Sequence, residues 1–183
     1  SYILGTCYLK NRNPSAYYQE LIEHLNSIKD YDGWFTEHYG GLAGNDGSAI
    51  QNDGSKKPWQ VHNTRKLDAI RDEIDKLNLP EVEKAVALTS LIIAMDKVDS
   101  TLGHFTSYLK KWSSRSYKGM KLKVPNLFVN DKDNTVIKDD IFSANKIVET
   151  DFGVAYEPID SLEIRALCYS MSGPKNDGFR HFF

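Results

Sequence analysis

The stretch from Pro80 to Val98 constrains the fold most, because it is long and too apolar to lie on a protein surface. Pro80 suits the first turn of a helix, where its missing N–H removes no hydrogen bond. The stretch carries a dense set of apolar side chains: Val86, Leu88, Leu91, Ile92, Ile93, Met95 and Val98. We therefore predict a helix that begins at Pro80-Glu81 and forms the buried centre of the fold.

Two further segments show the spacing of amphipathic helices. The first covers residues 15–29, with a cap near Asn13-Pro14-Ser15, and its apolar face is Tyr18, Leu21, Ile22, Leu25 and Ile28. The second covers residues 65–77 after Asn63-Thr64, a predicted N-cap, and its apolar face is Leu67, Ile70, Ile74 and Leu77. Leu79-Pro80 separates this helix from the central one.

The rest of the chain is less regular. Residues 40–57 read GGLAGNDGSAIQNDGSKK, which predicts a long surface loop without the glycine pattern of a phosphate cradle. Short β-type stretches follow at residues 120–130, 135–137 and 152–156. The predicted fold class is therefore α/β, with a predominantly helical first part followed by a few short strands.

Composition excludes several classes of protein. The formal net charge is -2, so contact with a polyanion requires a local basic patch. Cys7 and Cys168 stand apart, and none of the five histidines has metal-ligand or triad spacing, so we expect no metal site and no disulfide scaffold. The sequence has neither a signal peptide pattern nor an apolar run of membrane-spanning length, which predicts a cytoplasmic protein without a membrane partner.

One strongly basic stretch lies between residues 97 and 123. Seven of its side chains are Lys or Arg, Asp99 is its one acid, and aromatic and hydroxyl side chains alternate with the charges. Cations bind phosphates, while hydroxyls and aromatic rings fix the register of a nucleic acid. The alternative is a solvated face whose cations only cover apolar surface. Our candidate DNA contacts are Lys110, Lys111, Arg115, Ser116, Tyr117, Lys118 and Lys121.

Several strings follow one another through the middle of the chain: TRKLDAIRDEI (64–74), AMDKVDST (94–101), Phe105, YLKKW (108–112), Arg115-Ser116 and LKVP (122–125). In order and spacing they resemble the central region of Dam-like N6-adenine DNA methyltransferases, over about residues 60–156 and more loosely over 2–39. The resemblance implies an incomplete Rossmann-like methyltransferase with its helical DNA-recognition region. It also implies S-adenosylmethionine as cofactor and double-stranded DNA as partner.

The resemblance implies a cofactor contact but no catalytic residue. Asp140, in Asp140-Ile141-Phe142, matches the acidic residue that meets the adenine of S-adenosylmethionine in such enzymes. Where the family has Asp-Pro-Pro-Tyr, whose Tyr stacks on a flipped base, this chain reads Glu157-Pro158-Ile159-Asp160. We therefore expect that the chain does not methylate DNA alone.

The family pattern also suggests a division of the chain. Residues 1–130 correspond to the helical, DNA-recognition-like region, residues 131–160 to a remnant of the methyltransferase α/β core, and residues 161–183 form an unassigned tail. One interpretation is a fragment of a longer gene that loses the family frame near residue 156. The alternative is a non-catalytic DNA-binding or specificity module that pairs with a partner subunit carrying the missing motifs.

Overall fold

The computed structural model describes residues 2–44, 46–102, 109–129 and 131–138. Its helices are α1 (Tyr2–Leu9), α2 (Gln19–Ser27), α3 (Trp34–Tyr39), α4 (Val61–Lys76) and α5 (Glu81–Asp96). Its strands are β1 (Gly40–Gly41) and β2 (Trp59–Gln60), and 3-10 turns cover Ser15–Tyr18 and Ser114–Tyr117. The predicted α/β class with a mainly helical first part is confirmed.

Helix α5 is the centre of the structure, as its apolar sequence predicts. Val86, Leu88, Leu91 and Met95 are all buried. Leu88, Leu91 and Met95 share one hydrophobic cluster with the buried face of α4, namely Leu67, Ile70 and Ile74. On another side α1 packs against α5. The burial of α5 from more than one side explains why its sequence is too apolar for a surface helix.

Helices α4 and α5 form an antiparallel hairpin. At one end the Lys84 ammonium lies 2.8 Å from the Asp75 carboxylate, so the end of α4 lies beside the start of α5. At the other end the Trp59 Nε1 donates to the Met95 carbonyl at 3.2 Å, and the Ser100 N–H donates to the Pro58 carbonyl at 2.8 Å. The start of α4 and the end of α5 therefore lie side by side.

The first turn of α4 differs from the sequence prediction. We predicted Asn63-Thr64 as the N-cap, but this is wrong because the helix begins at Val61, after Gln60 in an extended conformation. Thr64 bonds inside the helix, donating from Oγ1 to the Val61 carbonyl at 3.0 Å. Asn63 points away from the helix, toward a distant part of the chain. The predicted helix over 15–29 is confirmed as a 3-10 turn followed by α2.

The strands are shorter, and lie elsewhere, than the sequence predicts. β1 and β2 pair in parallel, with Gly40 opposite Trp59 and Gly41 opposite Gln60. Within the described residues, 120–129 and 135–137 form no strand, so these two strand predictions are wrong. The third predicted strand, 152–156, lies outside the described residues.

Helix α3 is held in place by a buried carboxylate from α4. Asp68 is 4% exposed and accepts hydrogen bonds from the backbone N–H groups of Gly33 (3.1 Å), Phe35 (3.0 Å) and Thr36 (2.9 Å). The Thr36 hydroxyl donates a fourth bond at 2.6 Å. Asp68 therefore supplies from another helix the acceptor that an N-cap side chain normally supplies locally.

Candidate nucleic-acid interface

The predicted DNA contacts lie in one irregular stretch, residues 110–121, which we call the basic segment. Most of its candidate side chains are exposed: Lys110, Lys111, Arg115, Tyr117, Lys118 and Lys121. Trp112 and Met120 of the same segment are buried. The segment therefore lies on the surface with apolar side chains turned inward and most of its charges turned outward.

Ser116 is the exception among the candidates. It is fully buried, and its hydroxyl accepts a hydrogen bond from the Gln60 Nε2 at 2.9 Å and donates one to the Ser113 carbonyl at 2.8 Å. The neighbouring Tyr117 is 52% exposed. In this arrangement Ser116 supports the 3-10 turn that presents Arg115 and Tyr117.

The start of the basic segment is bound to the glycine-rich stretch predicted as a loop. Ser48 and Lys111 form an antiparallel bridge, in which the Ala49 N–H donates to the Lys110 carbonyl and the Trp112 N–H donates to the Gly47 carbonyl, both at 3.0 Å. Residues 42–44 and 46–57 are otherwise irregular, apart from a second bridge between Ile50 and Lys56. This loop therefore forms one border of the basic segment.

Close packing against β1 fixes the position of Trp112. The Trp112 side chain is buried, and its indole N–H donates to the Leu42 carbonyl at 3.4 Å. A Cβ atom on Gly41 would lie 2.8 Å from the Trp112 ring, which is shorter than any normal contact. Gly41 is therefore required for the indole to approach the backbone this closely.

The middle of the basic segment is tied to the end of α5 through Asp99. The Asp99 carbonyl accepts hydrogen bonds from the Ser113 hydroxyl and the Arg115 Nε, both at 2.9 Å. The Asp99 carboxylate forms an ion pair with the Arg115 guanidinium and accepts a hydrogen bond from the Thr101 hydroxyl. One buried aspartate therefore contacts Arg115 through both its backbone and its side chain.

The environment of Asp99 opposes its negative charge. Burial raises the pKa of the Asp99 carboxyl group, although the Thr101 hydroxyl and the positive charge of Arg115 lower it. The Asp99 side chain is 7% exposed, whereas that of Arg115 is 44% exposed. Arg115 thus has one face against a buried acid and another toward solvent.

The end of the basic segment is held by the first turn of α4. Asn63 is 2% exposed, and its amide group donates to the carbonyls of Ser116 at 3.2 Å and Lys118 at 3.0 Å. The Asn63 Oδ1 accepts a hydrogen bond from the Met120 N–H at 2.7 Å. A side-chain amide can both donate and accept, so Asn63 replaces the backbone partners that a neighbouring strand would provide.

Asn26 of α2 repeats this arrangement one step farther along the chain. Its side-chain oxygen accepts from the Leu122 N–H at 2.9 Å, and its amide nitrogen donates to the Leu122 carbonyl at 3.0 Å. These two asparagines pair the Met120 N–H and both backbone groups of Leu122 with side chains, where a strand would pair them with a neighbouring strand. Sequence analysis missed both, and the hydrogen-bonding capacity of an asparagine within a helix was the only available signal.

One predicted site residue has no position in the structure described above. Asp140, the predicted cofactor contact, lies outside the described residues. In the described part of the chain, no group of three or more His, Cys, Asp or Glu side chains could hold a metal ion. Over the same residues, no helix has the length and apolar character needed to cross a membrane.

Part of the chain is similar to a modification methylase. The chain is 36% identical over 93 residues to the modification methylase StsI of Streptococcus sanguinis, a match that covers 49% of this chain and 14% of that protein. No protein-family model and no solved structure matches the chain. The chain thus spans a small part of the length of the methylase that it matches. For the matched half of the chain, this similarity supports the DNA methyltransferase relationship that the sequence resemblance indicates.

Proposed function

We propose that the chain is a DNA-contacting part of an adenine-N6 DNA methyltransferase that uses S-adenosylmethionine as methyl donor. The observation that carries this proposal is the basic segment, whose cations are exposed while its backbone is held by buried hydrogen bonds. The similarity to a modification methylase supports the same enzyme class. Adenine specificity and the cofactor come from the sequence resemblance.

A fixed backbone matters for binding because ordering a loop on association costs free energy. The two bonds between residues 47–49 and 110–112 hold one end of the basic segment, and Asn63 holds the other. Lysine side chains on such a scaffold neutralise phosphates and release counterions, the main source of affinity for DNA. We assign this role to Lys110, Lys111, Lys118 and Lys121.

The remaining candidates have different proposed roles. Tyr117 is exposed enough to stack on a base or sugar of the bound strand. Ser116 supports the backbone that presents Tyr117 and Arg115, because its hydroxyl is already bonded to Gln60 and Ser113. Asp140 is the residue that we propose to contact S-adenosylmethionine, and we propose no cofactor contact among the described residues.

We propose further that methyl transfer needs a catalytic motif supplied by a partner subunit or another segment. The reason lies in the sequence, where Glu157-Pro158-Ile159-Asp160 replaces Asp-Pro-Pro-Tyr. The replacement removes the aromatic ring that would stack on a flipped adenine. Contact with DNA does not depend on this motif, so binding can be tested with the chain itself.

The test is binding to a labelled DNA duplex, measured by fluorescence anisotropy at several salt concentrations. The variant is Lys110→Ala with Lys118→Ala, which removes two exposed cations from the basic segment. The matched control is Lys76→Ala with Lys84→Ala, which removes the same charge at the opposite end of the α4–α5 hairpin. At about 1.5 Å per residue, helix α4 separates the two ends by roughly 24 Å.

We expect the logarithm of the wild-type association constant to fall linearly as the logarithm of salt concentration rises. The Lys110 and Lys118 variant should bind more weakly and lose about 2 units of that slope, because each lysine contact releases about one counterion. The control should follow the wild type. Equal losses in both variants, or no binding by a wild-type chain shown to be folded by circular dichroism, would overturn the proposal.

A further inference from the structure

We infer that Asp99 is a positioning residue that orients the Arg115 guanidinium toward a DNA phosphate. This inference rests on the proposed function and goes beyond it, since it gives a role in DNA binding to an acid. The sequence marks Asp99 as the one acid in a basic stretch. A negative charge at this position should repel DNA phosphates, whereas the contacts of Asp99 with Arg115 indicate that it supports a DNA-binding side chain.

The geometry restricts the guanidinium along one edge. The Arg115 Nε donates to the Asp99 carbonyl at 2.9 Å, and its Nη2 forms the ion pair with the Asp99 carboxylate. An arginine has five N–H donors in a rigid planar fork. With the Nε donor directed at the Asp99 carbonyl and Nη2 beside the Asp99 carboxylate, the adjacent end of the guanidinium, formed by Nη1 and the outer N–H of Nη2, can present paired donors to phosphate oxygens.

Asp99 itself is fixed. Its carbonyl accepts a second bond from the Ser113 hydroxyl at 2.9 Å, and its carboxylate accepts from the Thr101 hydroxyl. The backbone N–H of the next residue, Ser100, donates to the Pro58 carbonyl at 2.8 Å. The Ser100 hydroxyl accepts a hydrogen bond from the Ser113 N–H at 2.9 Å. The orientation of Arg115 is thereby linked to Pro58 and Ser113 through bonds of Asp99 and of the residue that follows it.

Two effects of Asp99 on DNA binding have opposite signs. As a negative charge near the basic segment, it repels phosphates, so its removal would strengthen binding. As a support for Arg115, it lowers the entropy lost when this long side chain binds, so its removal would weaken binding. Arg115 contacts both the carbonyl oxygen and a carboxylate oxygen of Asp99, which is buried and hydrogen-bonded. We therefore assign the dominant effect to positioning.

The test is a double-mutant cycle on affinity for the DNA duplex, using wild type, Asp99→Ala, Arg115→Ala and the double variant. We expect Arg115→Ala to weaken binding about tenfold and Asp99→Ala about fivefold, with the double variant no weaker than Arg115→Ala within about twofold. This result would show that Asp99 acts through Arg115. A purely structural role would instead weaken binding by the same factor in both backgrounds.

A second variant keeps the test decisive if Asp99→Ala folds poorly. Arg115→Lys keeps the exposed charge but cannot contact Asp99 and a phosphate with one rigid fork. We expect it to lose most of the affinity that Arg115→Ala loses, and retention of wild-type affinity would overturn the inference. Tighter or unchanged binding by folded Asp99→Ala would also overturn it while leaving the proposed function intact. Absence of binding by the folded wild type would overturn both.

Discussion

Substitution of Asn63 by alanine tests how the basic segment is held. The change removes one hydrogen-bond partner of two carbonyls, Ser116 and Lys118, and of the Met120 N–H, at a site that is 2% exposed. A buried backbone group without a partner costs about 1–3 kcal/mol. The Lys118 carbonyl keeps its contact with His62 at 3.3 Å, so the Ser116 carbonyl and the Met120 N–H are the two groups left without Asn63, and we expect a total loss of about 3 kcal/mol.

The assay is unfolding in urea and by heat, followed by tryptophan fluorescence. For a chain of this length about 1 kcal/mol corresponds to 2–4 °C, so the melting temperature should fall by roughly 6–12 °C. Hydrogen exchange at the Met120 amide should also become faster, because Asn63 is its acceptor.

The adjacent His62 provides the control. It also lies in the first turn of α4 and contacts the same Lys118 carbonyl, but through a single, exposed contact at 3.3 Å. We expect His62→Ala to change stability by no more than about 0.5 kcal/mol. If Asn63→Ala cost no more than His62→Ala, Asn63 would not be the anchor of the basic segment.

Two further predictions concern buried and exposed carboxylates. Asp68→Ala should destabilise the protein by about 3 kcal/mol in urea unfolding, because it leaves three backbone donors and the Thr36 hydroxyl of α3 without their acceptor; a loss below about 1 kcal/mol would contradict the assigned role. Burial alone raises the pKa of Asp75, but Lys84 and Arg71 lower it by more, so the pKa in the folded protein is below its usual value. Its ionised form therefore stabilises the fold above pH 3.8, by less than about 1 kcal/mol because the pair is half exposed. The difference in unfolding free energy between wild type and Asp75→Asn should shrink as the pH falls below 3.8, and a difference that grew on acidification would contradict this sign.

The helices were predictable from sequence because their signals are local and repeated. Leu67, Ile70 and Ile74 lie on one face of α4, and all three are buried in the cluster shared with α5. Leu79-Pro80 correctly predicted the break between α4 and α5. Each of these signals depends on residues within a few positions of one another, so the chain displays them without its tertiary structure.

The strands and the anchors could not be predicted in the same way. β1 and β2 contain two residues each, which is too short to show alternation. Asn63 resembled an N-cap, but its partners lie 53 to 57 residues later in the chain. Ser116 was predicted as a DNA contact, but it is buried, and its hydrogen bonds with Gln60 and Asn63 form only in the folded chain.

The antiparallel hairpin explains why an irregular segment can have a defined conformation here. Asn63 lies in the first turn of α4 and Asp99 follows the last turn of α5, and these two positions meet at one end of the hairpin. Both act on the basic segment, Asp99 at Ser113 and Arg115, and Asn63 from Ser116 onward. Since the hairpin is the most buried part of the structure, it gives both anchors a common rigid frame. A binding surface on such a frame can be altered at its exposed lysines without loss of the fold, whereas changes at Asn63 or Asp99 should affect both stability and binding.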